Sequence, residues 1–228
     1  MKLSSEEISI ILRSIKVAAC SVIFTIPLSI LIGRKLSKGY FLGRFIIETI
    51  INIPLVLPPI ATGFILLMFF RTNGFLGRLI LNLFDVRIIF SFYGAVVASS
   101  IVSIPISVRA IRISMENINT NLEEVAATLG IGKYKRFFKI ILPLSFPGII
   151  SGTVFAFIRS LGEFGATITL AGAFEGEGTL SIALWNALQE PGNESYAYKL
   201  LLICIIISMV ALLCSEFLIK ILLKKKRY

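Results

Sequence analysis

The sequence of 228 residues contains no histidine and only three cysteines. The cysteines lie within apolar runs and need no disulfide, and neither imidazole nor clustered thiolate ligands are available for a metal site. No histidine is present to activate a serine, and no phosphate-binding loop of the Walker A type occurs. We therefore expect no catalytic residue, metal or cofactor in this chain, and no ATP bound by a phosphate-binding loop.

The sequence is instead rich in long apolar runs. Hydrophobic residues make up 56% of the chain and the mean hydropathy is +0.90, which is more apolar surface than one water-soluble core can bury. Helical runs of about 20 residues can cross the hydrocarbon core of a membrane. We predict an all-α integral membrane protein with one domain at 8–223 and a basic tail at 224–228. The predicted spans are about 8–33, 45–70, 89–111, 144–171 and 200–223.

The net charge of +10 would fit a nucleic acid partner. The basic residues, however, flank the apolar runs, as membrane topology requires. Fifteen of the 23 lysines and arginines fall in segments that an N-out, C-in arrangement places in the cytoplasm. We therefore expect this orientation and contact with lipid, and we expect no nucleic acid partner.

The longest polar interruption, predicted as a cytoplasmic loop at 112–143, has the pattern of two short helices joined by a turn. Its first apolar stripe has the spacing i, i+3, i+4 and i+7 of an amphipathic helix. Asn121 lies three residues before Glu124, which predicts a capping box. Gly130 and Gly132 are expected to end the helix and permit a sharp turn. The stripe consists of Leu122, Val125, Ala126 and Leu129.

A second amphipathic helix is predicted directly after this turn. Basic residues place it at a charged surface, and Pro143 is expected to interrupt it. The first stripe would then form a small apolar ridge that projects from the membrane and is received by a partner. The second stripe consists of Tyr134, Phe137, Phe138 and Ile141.

The second predicted span contains three prolines, Pro54, Pro58 and Pro59, which remove backbone hydrogen-bond donors. Broken helices are tolerated in membranes where they pack against protein or line a wet cavity. Two interpretations stay open. The segment is either a kinked structural helix or the lining of a wet pathway, with Asn52 and Thr62 as polar contacts.

The fourth predicted span carries Gly148 and Gly152, a spacing of small residues that allows close helix contact. Further along, it carries Arg159 and Glu163 within an apolar run. Ionisable residues in a span are costly and are functional candidates by default. Since the two are four residues apart, they either pair on one helix face or Arg159 offers its charge to a passing anion while Glu163 holds it in place.

Two apolar stretches are too short to span a membrane. Residues 71–88 repeat apolar side chains every three or four positions, which predicts a helix lying in the outer interface. Residues 180–188 predict another short amphipathic helix, with Trp185 suited to a membrane–water boundary.

The loop at 112–143 resembles the EAA loop of type I ABC importer permeases in Glu124-Val125-Ala126, Gly130, Ile140 and Leu142-Pro143, with Val125 replacing the middle alanine. Segments 159–169 and 189–195 are similar to those of molybdate importer permeases, with sulfate and tungstate permeases as near neighbours. The resemblance extends over most of the chain. It implies the type I permease fold with a cytoplasmic coupling helix.

The resemblance also implies a set of partners. Two copies of the chain would form the pore in the cytoplasmic membrane of a prokaryote, with two ABC ATPase subunits beneath and an extracytoplasmic molybdate-binding protein above. Selection among molybdate, tungstate and sulfate would rest mainly with the binding protein. The residues expected to couple to the ATPase are Asn121, Leu122, Glu124, Val125, Ala126, Leu129 and Gly130.

Two functions from other classes compete with this interpretation. An ion-coupled secondary transporter would usually have more spans and a chain of carboxylates in the membrane, whereas Glu163 alone is expected deep in a span. An intramembrane enzyme would need paired catalytic groups, and the sequence offers none.

Overall fold

The computed structural model describes residues 4–174, 176 and 178–225, and the regular structure of these residues is helical throughout. A short π-helical stretch covers residues 137–141. The predicted all-α class is confirmed. In chain order the α-helices are α1 (Ser5–Ser37), α2 (Arg44–Val56), α3 (Pro59–Phe70), α4 (Phe75–Phe84), α5 (Phe92–Glu116), α6 (Thr120–Thr128), α7 (Lys133–Arg136), α8 (Leu142–Leu144), α9 (Phe146–Leu161), α10 (Gly165–Ala171), α11 (Leu180–Gln189) and α12 (Glu194–Lys225).

Three helices, α1, α5 and α12, are long and apolar enough to cross a membrane. Two further helix pairs reach that length only together, across a sharp bend. The pair α2 and α3 is bent by 115°, and residues 133–144 are bent by 68° relative to α9. By length and composition, the described residues provide three to five crossings, and the predicted five require each bent pair to cross once.

The long helices extend beyond their predicted bounds. α1 starts with a capping box, in which the Ser4 hydroxyl accepts from the Glu7 N–H at 3.2 Å and the Glu7 carboxylate accepts from the Ser4 N–H at 2.7 Å. α5 continues to Glu116, so the first residues of the predicted loop at 112–143 belong to this helix. α12 starts at Glu194, before its predicted span.

The centre of the molecule lies where α1, α5 and α9 pack together. Small residues permit the close approach of α9 to α5, since a Cβ added at Gly148 would overlap Ser114. The Ser107 hydroxyl donates to the Gly152 carbonyl at 3.0 Å, and the Ser103 hydroxyl donates to the Ala156 carbonyl at 3.3 Å. The contact face predicted from Gly148 and Gly152 is therefore confirmed.

The second predicted span is broken between α2 and α3. Pro58 is the N-cap of α3 and Pro59 is its first residue, where a proline costs no helical hydrogen bond. α3 then packs closely on α10, because a Cβ added at Gly63 would lie 2.8 Å from Ala166. The prolines therefore mark the break, and packing against α10 supports α3.

The fourth predicted span, 144–171, is not one helix. α9 ends at Leu161, and after a short break the chain resumes as α10. The Glu163 carboxylate lies in this break and accepts a hydrogen bond from the Ala166 N–H at 2.8 Å, which satisfies a free donor at the start of α10. The two predicted short amphipathic segments do form helices, α4 and α11.

Candidate functional site

The predicted coupling helix is α6, but it begins earlier than expected. Asn119 is its N-cap, and the Asn119 side chain accepts from the Asn121 N–H at 3.0 Å. The predicted capping box of Asn121 with Glu124 is wrong, because Asn121 already lies inside the helix. Glu123 is the acidic residue of the first turn, where the helix dipole favours a negative charge.

α6 ends in a Schellman motif at Gly130. The Ile131 N–H donates to the Ala126 carbonyl and the Gly130 N–H donates to the Ala127 carbonyl, both at 3.0 Å. Gly130 has φ of +76°, as expected of a glycine that ends a helix. The turn does not rely on Gly132, which has φ of −62° and serves as the N-cap of α7.

The apolar ridge of α6 is open to its surroundings. Leu122, Val125 and Leu129 are 47%, 57% and 74% exposed, whereas Ala126 is only 5% exposed and packs inward. Three of the four predicted ridge residues therefore project from the described part of the chain. An exposed apolar row on a short helix has the form of a surface that fits a groove on another protein.

α6 is tied to the end of α1. The Arg34 guanidinium forms an ion pair with the Glu123 carboxylate at 2.6 Å, and the Arg136 side chain donates to the Glu123 carbonyl at 3.3 Å. Glu123 thus connects α6 to both α1 and α7. A displacement of the ridge would therefore be transmitted to the end of a long helix.

The second predicted stripe does not form one face. Tyr134 and Phe138 are exposed, while Ile141 is buried. The π-helical stretch at 137–141 has a wider turn than an α-helix, so the regular spacing of apolar side chains is lost there. The sharp bend follows at Ser145, two residues after Pro143, which itself lies inside α8.

A network of four charged side chains joins α2 to the end of α5. Glu48 accepts from Arg44 at 2.8 Å and from Arg112 at 2.7 Å, and Arg112 also pairs with Glu116 at 2.7 Å. Arg44 approaches Glu116 at 3.8 Å. Sequence reasoning missed Glu48, although a carboxylate inside the predicted span 45–70 was a usable signal.

This network borders a cavity of about 190 Å³ between α1, α2 and α5. Arg109 contributes a guanidinium that forms no ion pair with any described residue, and Asn52 contributes an amide. The Arg109 guanidinium and the Asn52 amide can donate hydrogen bonds to an oxyanion, whereas Arg112 is already paired with Glu48 and Glu116. The lining residues are Leu36, Glu48, Ile51, Asn52, Pro105, Val108, Arg109 and Arg112.

The predicted pathway residues of the second span are placed differently from one another. Asn52 is exposed on α2, and its side chain donates to the Glu48 carbonyl at 2.8 Å. Pro54 lies within α2, while Pro58 and Pro59 are exposed at the break. Thr62 is buried, and its hydroxyl has no hydrogen-bond partner among the described residues. Burial within the chain argues against a pathway contact for Thr62.

Arg159 and Glu163 form an ion pair at 2.5 Å. The Glu163 side chain is buried, whereas the Arg159 guanidinium is partly exposed. Since Glu163 also accepts from the Ala166 N–H, the pair joins the end of α9 to the start of α10. Of the two predicted roles, this geometry agrees with a structural pair and not with an Arg159 that offers its charge to an anion.

Comparison with known proteins adds evidence that the geometry alone does not contain. Residues 25–228 match the family described as binding-protein-dependent transport system inner membrane component. The molybdenum transport system permease protein ModB of Haemophilus influenzae is 44% identical over 220 residues, which cover 96% of each chain. The sulfate transport system permease protein CysT of Escherichia coli K12 is 35% identical over 170 residues, which cover 74% of this chain and 61% of CysT.

The fold is also similar to that of a solved importer. A chain of a bacterial ABC transporter involved in the import of the acidic polysaccharide alginate matches with a TM-score of 0.75 and covers 96% of this chain and 80% of that chain. At 17% identity, this likeness shows the fold alone. The predicted fold class, that of an ABC importer transmembrane subunit, is confirmed.

Proposed function

The chain belongs to the family of binding-protein-dependent transport system inner membrane components, and from this premise we propose that it is the permease subunit of an ATP-driven molybdate importer. The observation that carries the proposal is the identity to the molybdenum permease of Haemophilus influenzae over nearly the whole of both chains. The shorter and weaker match to CysT makes sulfate the second candidate substrate. Tungstate remains an alternative because it is a similar tetrahedral dianion.

The exposed ridge of α6 is the surface through which ATP hydrolysis would act. Leu122, Val125 and Leu129 would enter a groove on an ABC ATPase subunit, with one ATPase for each of two permease copies. Because Glu123 ties α6 to Arg34, movement of the ATPase would reach α1 as well as α5, which precedes α6 directly. A rigid helix seated in a groove transmits motion as a body.

The cavity at Arg109 is the part of the pathway best suited to an oxyanion. Arg109 and Asn52 offer donors, and Arg112 is held in place by two carboxylates. Arg159 is the less suitable candidate, since Glu163 already neutralises it. We expect a weak and transient contact here, with selection made by an extracytoplasmic binding protein.

The placement of the carboxylates disfavours an ion-coupled secondary transporter. Glu7 and Glu48 lie near the starts of α1 and α2, and Glu163 lies in the break between α9 and α10. Each of them is paired with a cation, Glu7 with Lys199 at 2.6 Å. An ion-coupled transporter needs carboxylates that are free to bind the coupling ion, and each of these three already has a cationic partner within the chain.

The experiment is uptake into proteoliposomes that contain the permease, its ATPase and the binding protein. Molybdate should accumulate only with ATP, and tungstate or sulfate added outside reports which anion competes. Leu129→Asp should abolish uptake and ATPase binding, whereas Leu42→Asp, a matched change at another exposed leucine, should not. Molybdate uptake without the ATPase would overturn the proposal, and uptake of sulfate but not molybdate would reassign the substrate.

A further inference from the structure

A second cavity, of about 200 Å³, lies between the end of α1 and the start of α7. The proposed transport pathway does not use it. Three cations line it on one side, and apolar or aromatic side chains form the rest of its wall. The lining residues are Leu31, Arg34, Lys38, Lys133, Tyr134 and Phe137.

The positive charge of this cavity is only partly compensated. Arg34 is paired with Glu123, whereas Lys38 and Lys133 form no ion pair with a residue that the structure describes. Desolvation lowers the pKa of Lys38, and the positive charges of Arg34 and Lys133 lower it further. Cations that repel one another around a concave surface favour an anionic ligand.

An exposed apolar stripe of α1 leads away from the cavity into the predicted membrane span. Leu31 belongs to both features, and Arg34 and Lys38 continue the same helix face. The stripe extends about 12 Å at the α-helical rise of 1.5 Å per residue. A soluble anion would use only the cations, whereas a lipid would use both features. The stripe consists of Ile23, Phe24, Leu28 and Leu31.

We propose that this cavity binds the headgroup of an anionic phospholipid of the cytoplasmic leaflet, with an acyl chain along the α1 stripe. Basic pockets between helices on the cytoplasmic side of membrane proteins hold acidic headgroups in this way. The site depends on the predicted orientation in the membrane but not on which anion is transported. Because Arg34 also holds Glu123, the lipid lies beside the anchor of the coupling helix.

The test is a binding titration of the full-length permease in detergent, read by native mass spectrometry. The two probes are dioleoylphosphatidylglycerol and dioleoylphosphatidylcholine. Phosphatidylglycerol should bind preferentially, and Lys38→Gln with Lys133→Gln should weaken its binding roughly tenfold or more without changing phosphatidylcholine binding. The matched control, Lys135→Gln with Lys139→Gln, removes two exposed cations of the same surface outside the cavity and should keep the preference.

Equal loss in the two double variants would overturn the proposal, since it would mean that general surface charge attracts the lipid. Equal affinity for dihexanoylphosphatidylglycerol, or competition by inorganic phosphate, would reassign the cavity to a soluble anion. Loss of lipid binding when the ATPase is added would assign it to the ATPase interface. Should the glutamine variant fail to fold, the short-chain comparison on the unmodified protein decides, and Lys38→Arg with Lys133→Arg is expected to retain binding.

Discussion

α5 and α2 are both apolar helices, yet they use their surfaces in opposite ways. α5 buries residues from Gly94 to Met115, along nearly its whole length, whereas α2 buries none. α5 is rich in serine and alanine, which let neighbouring helices approach, while α2 carries phenylalanine and isoleucine side chains that stay exposed. The residue composition of the two helices thus distinguishes α5, which packs within this chain, from α2, whose apolar surface the described part of this chain leaves exposed.

α2 also carries a polar stripe along an open groove of about 670 Å³. Glu48, Thr49 and Asn52 lie in that groove, and polar groups of this kind do not face lipid in a stable membrane protein. We infer that α5 is the scaffold of one protomer. α2, in contrast, presents a face that no described part of this chain covers.

The largest effect is expected where the α5 scaffold is broken. A Cβ at Gly148 would overlap Ser114, so Gly148→Ala should destabilise the protein by about 1–3 kcal/mol through overpacking. Gly162→Ala is the matched control, since its Cβ would lie 3.6 Å from the Ile158 carbonyl oxygen in ordinary contact. Thermal unfolding of the purified variants measures both. Equal melting temperatures would mean that α5 and α9 are not rigidly packed.

A smaller loss is expected at the junction where α10 packs between α3 and α5. Glu163→Ala leaves the Ala166 N–H and Arg159 without their partner, a cost of about 2 kcal/mol. Exchanging Arg159 and Glu163 should not rescue stability, because arginine has no acceptor for the Ala166 N–H. Glu163→Gln keeps an acceptor and should recover part of the loss. Full rescue by the exchange, measured by thermal unfolding, would contradict the capping role.

The coupling helix, which follows α5 directly, should lose roughly 1 kcal/mol of local stability when either end is altered. Asn119→Ala removes the N-cap, and Gly130→Val places a Cβ at a left-handed position. Both variants should insert normally but weaken ATPase association or uncouple hydrolysis from uptake. Glu124 has no capping role in α6. Any loss of ATPase binding in Glu124→Ala would therefore report a direct contact between Glu124 and the ATPase. Normal coupling in all three variants would make α6 a simple connector.

The smallest effect on stability is expected where α2 meets α5. A double-mutant cycle of Glu48→Gln and Arg112→Gln should give a coupling energy of about 0.5 kcal/mol, since both side chains are partly exposed. If α2 moves during transport, these variants should lose a large part of their uptake activity while their free energy of unfolding changes little. Glu116→Gln, which breaks the pair within α5 and only a longer 3.8 Å contact to Arg44 of α2, is the control. A coupling energy as large as the Gly148 effect would remove the contrast between the two helices.

Local chemistry made much of this fold predictable. Pro58 and Pro59 break the second span, Gly148 and Gly152 permit close helix packing, and Gly130 ends α6, as their local chemistry predicts. Pro54, in contrast, lies within α2 without breaking it. Asn119 was overlooked because Asn121, with Glu124 three residues later, offered an equally good local signal. Only the path of the preceding helix, which ends at Glu116, decides between the two.

The charge networks could not be predicted because they depend on distant partners. The break at Glu163 is local, since Glu163 accepts from the N–H three residues ahead, and the flanking Gly162 and Gly165 were a usable signal within the apolar run 144–171. Glu48 is one residue within an apolar segment, and its role follows from Arg112, which lies 64 positions away. Likewise, the α-helical spacing of apolar residues at 134–141 does not predict the π-helical stretch that the structure contains there.

The length of α1 has a mechanical consequence. Its 33 residues extend about 50 Å, well beyond the roughly 30 Å of membrane hydrocarbon. It is pinned near one end by Glu7 to Lys199 of α12 and near the other by Arg34 to Glu123 of α6. The helix is thus a strut between two aqueous compartments, with no loop to absorb strain. We expect a displacement of α6 to be transmitted along α1 to its other end, so that both ends of the helix move together.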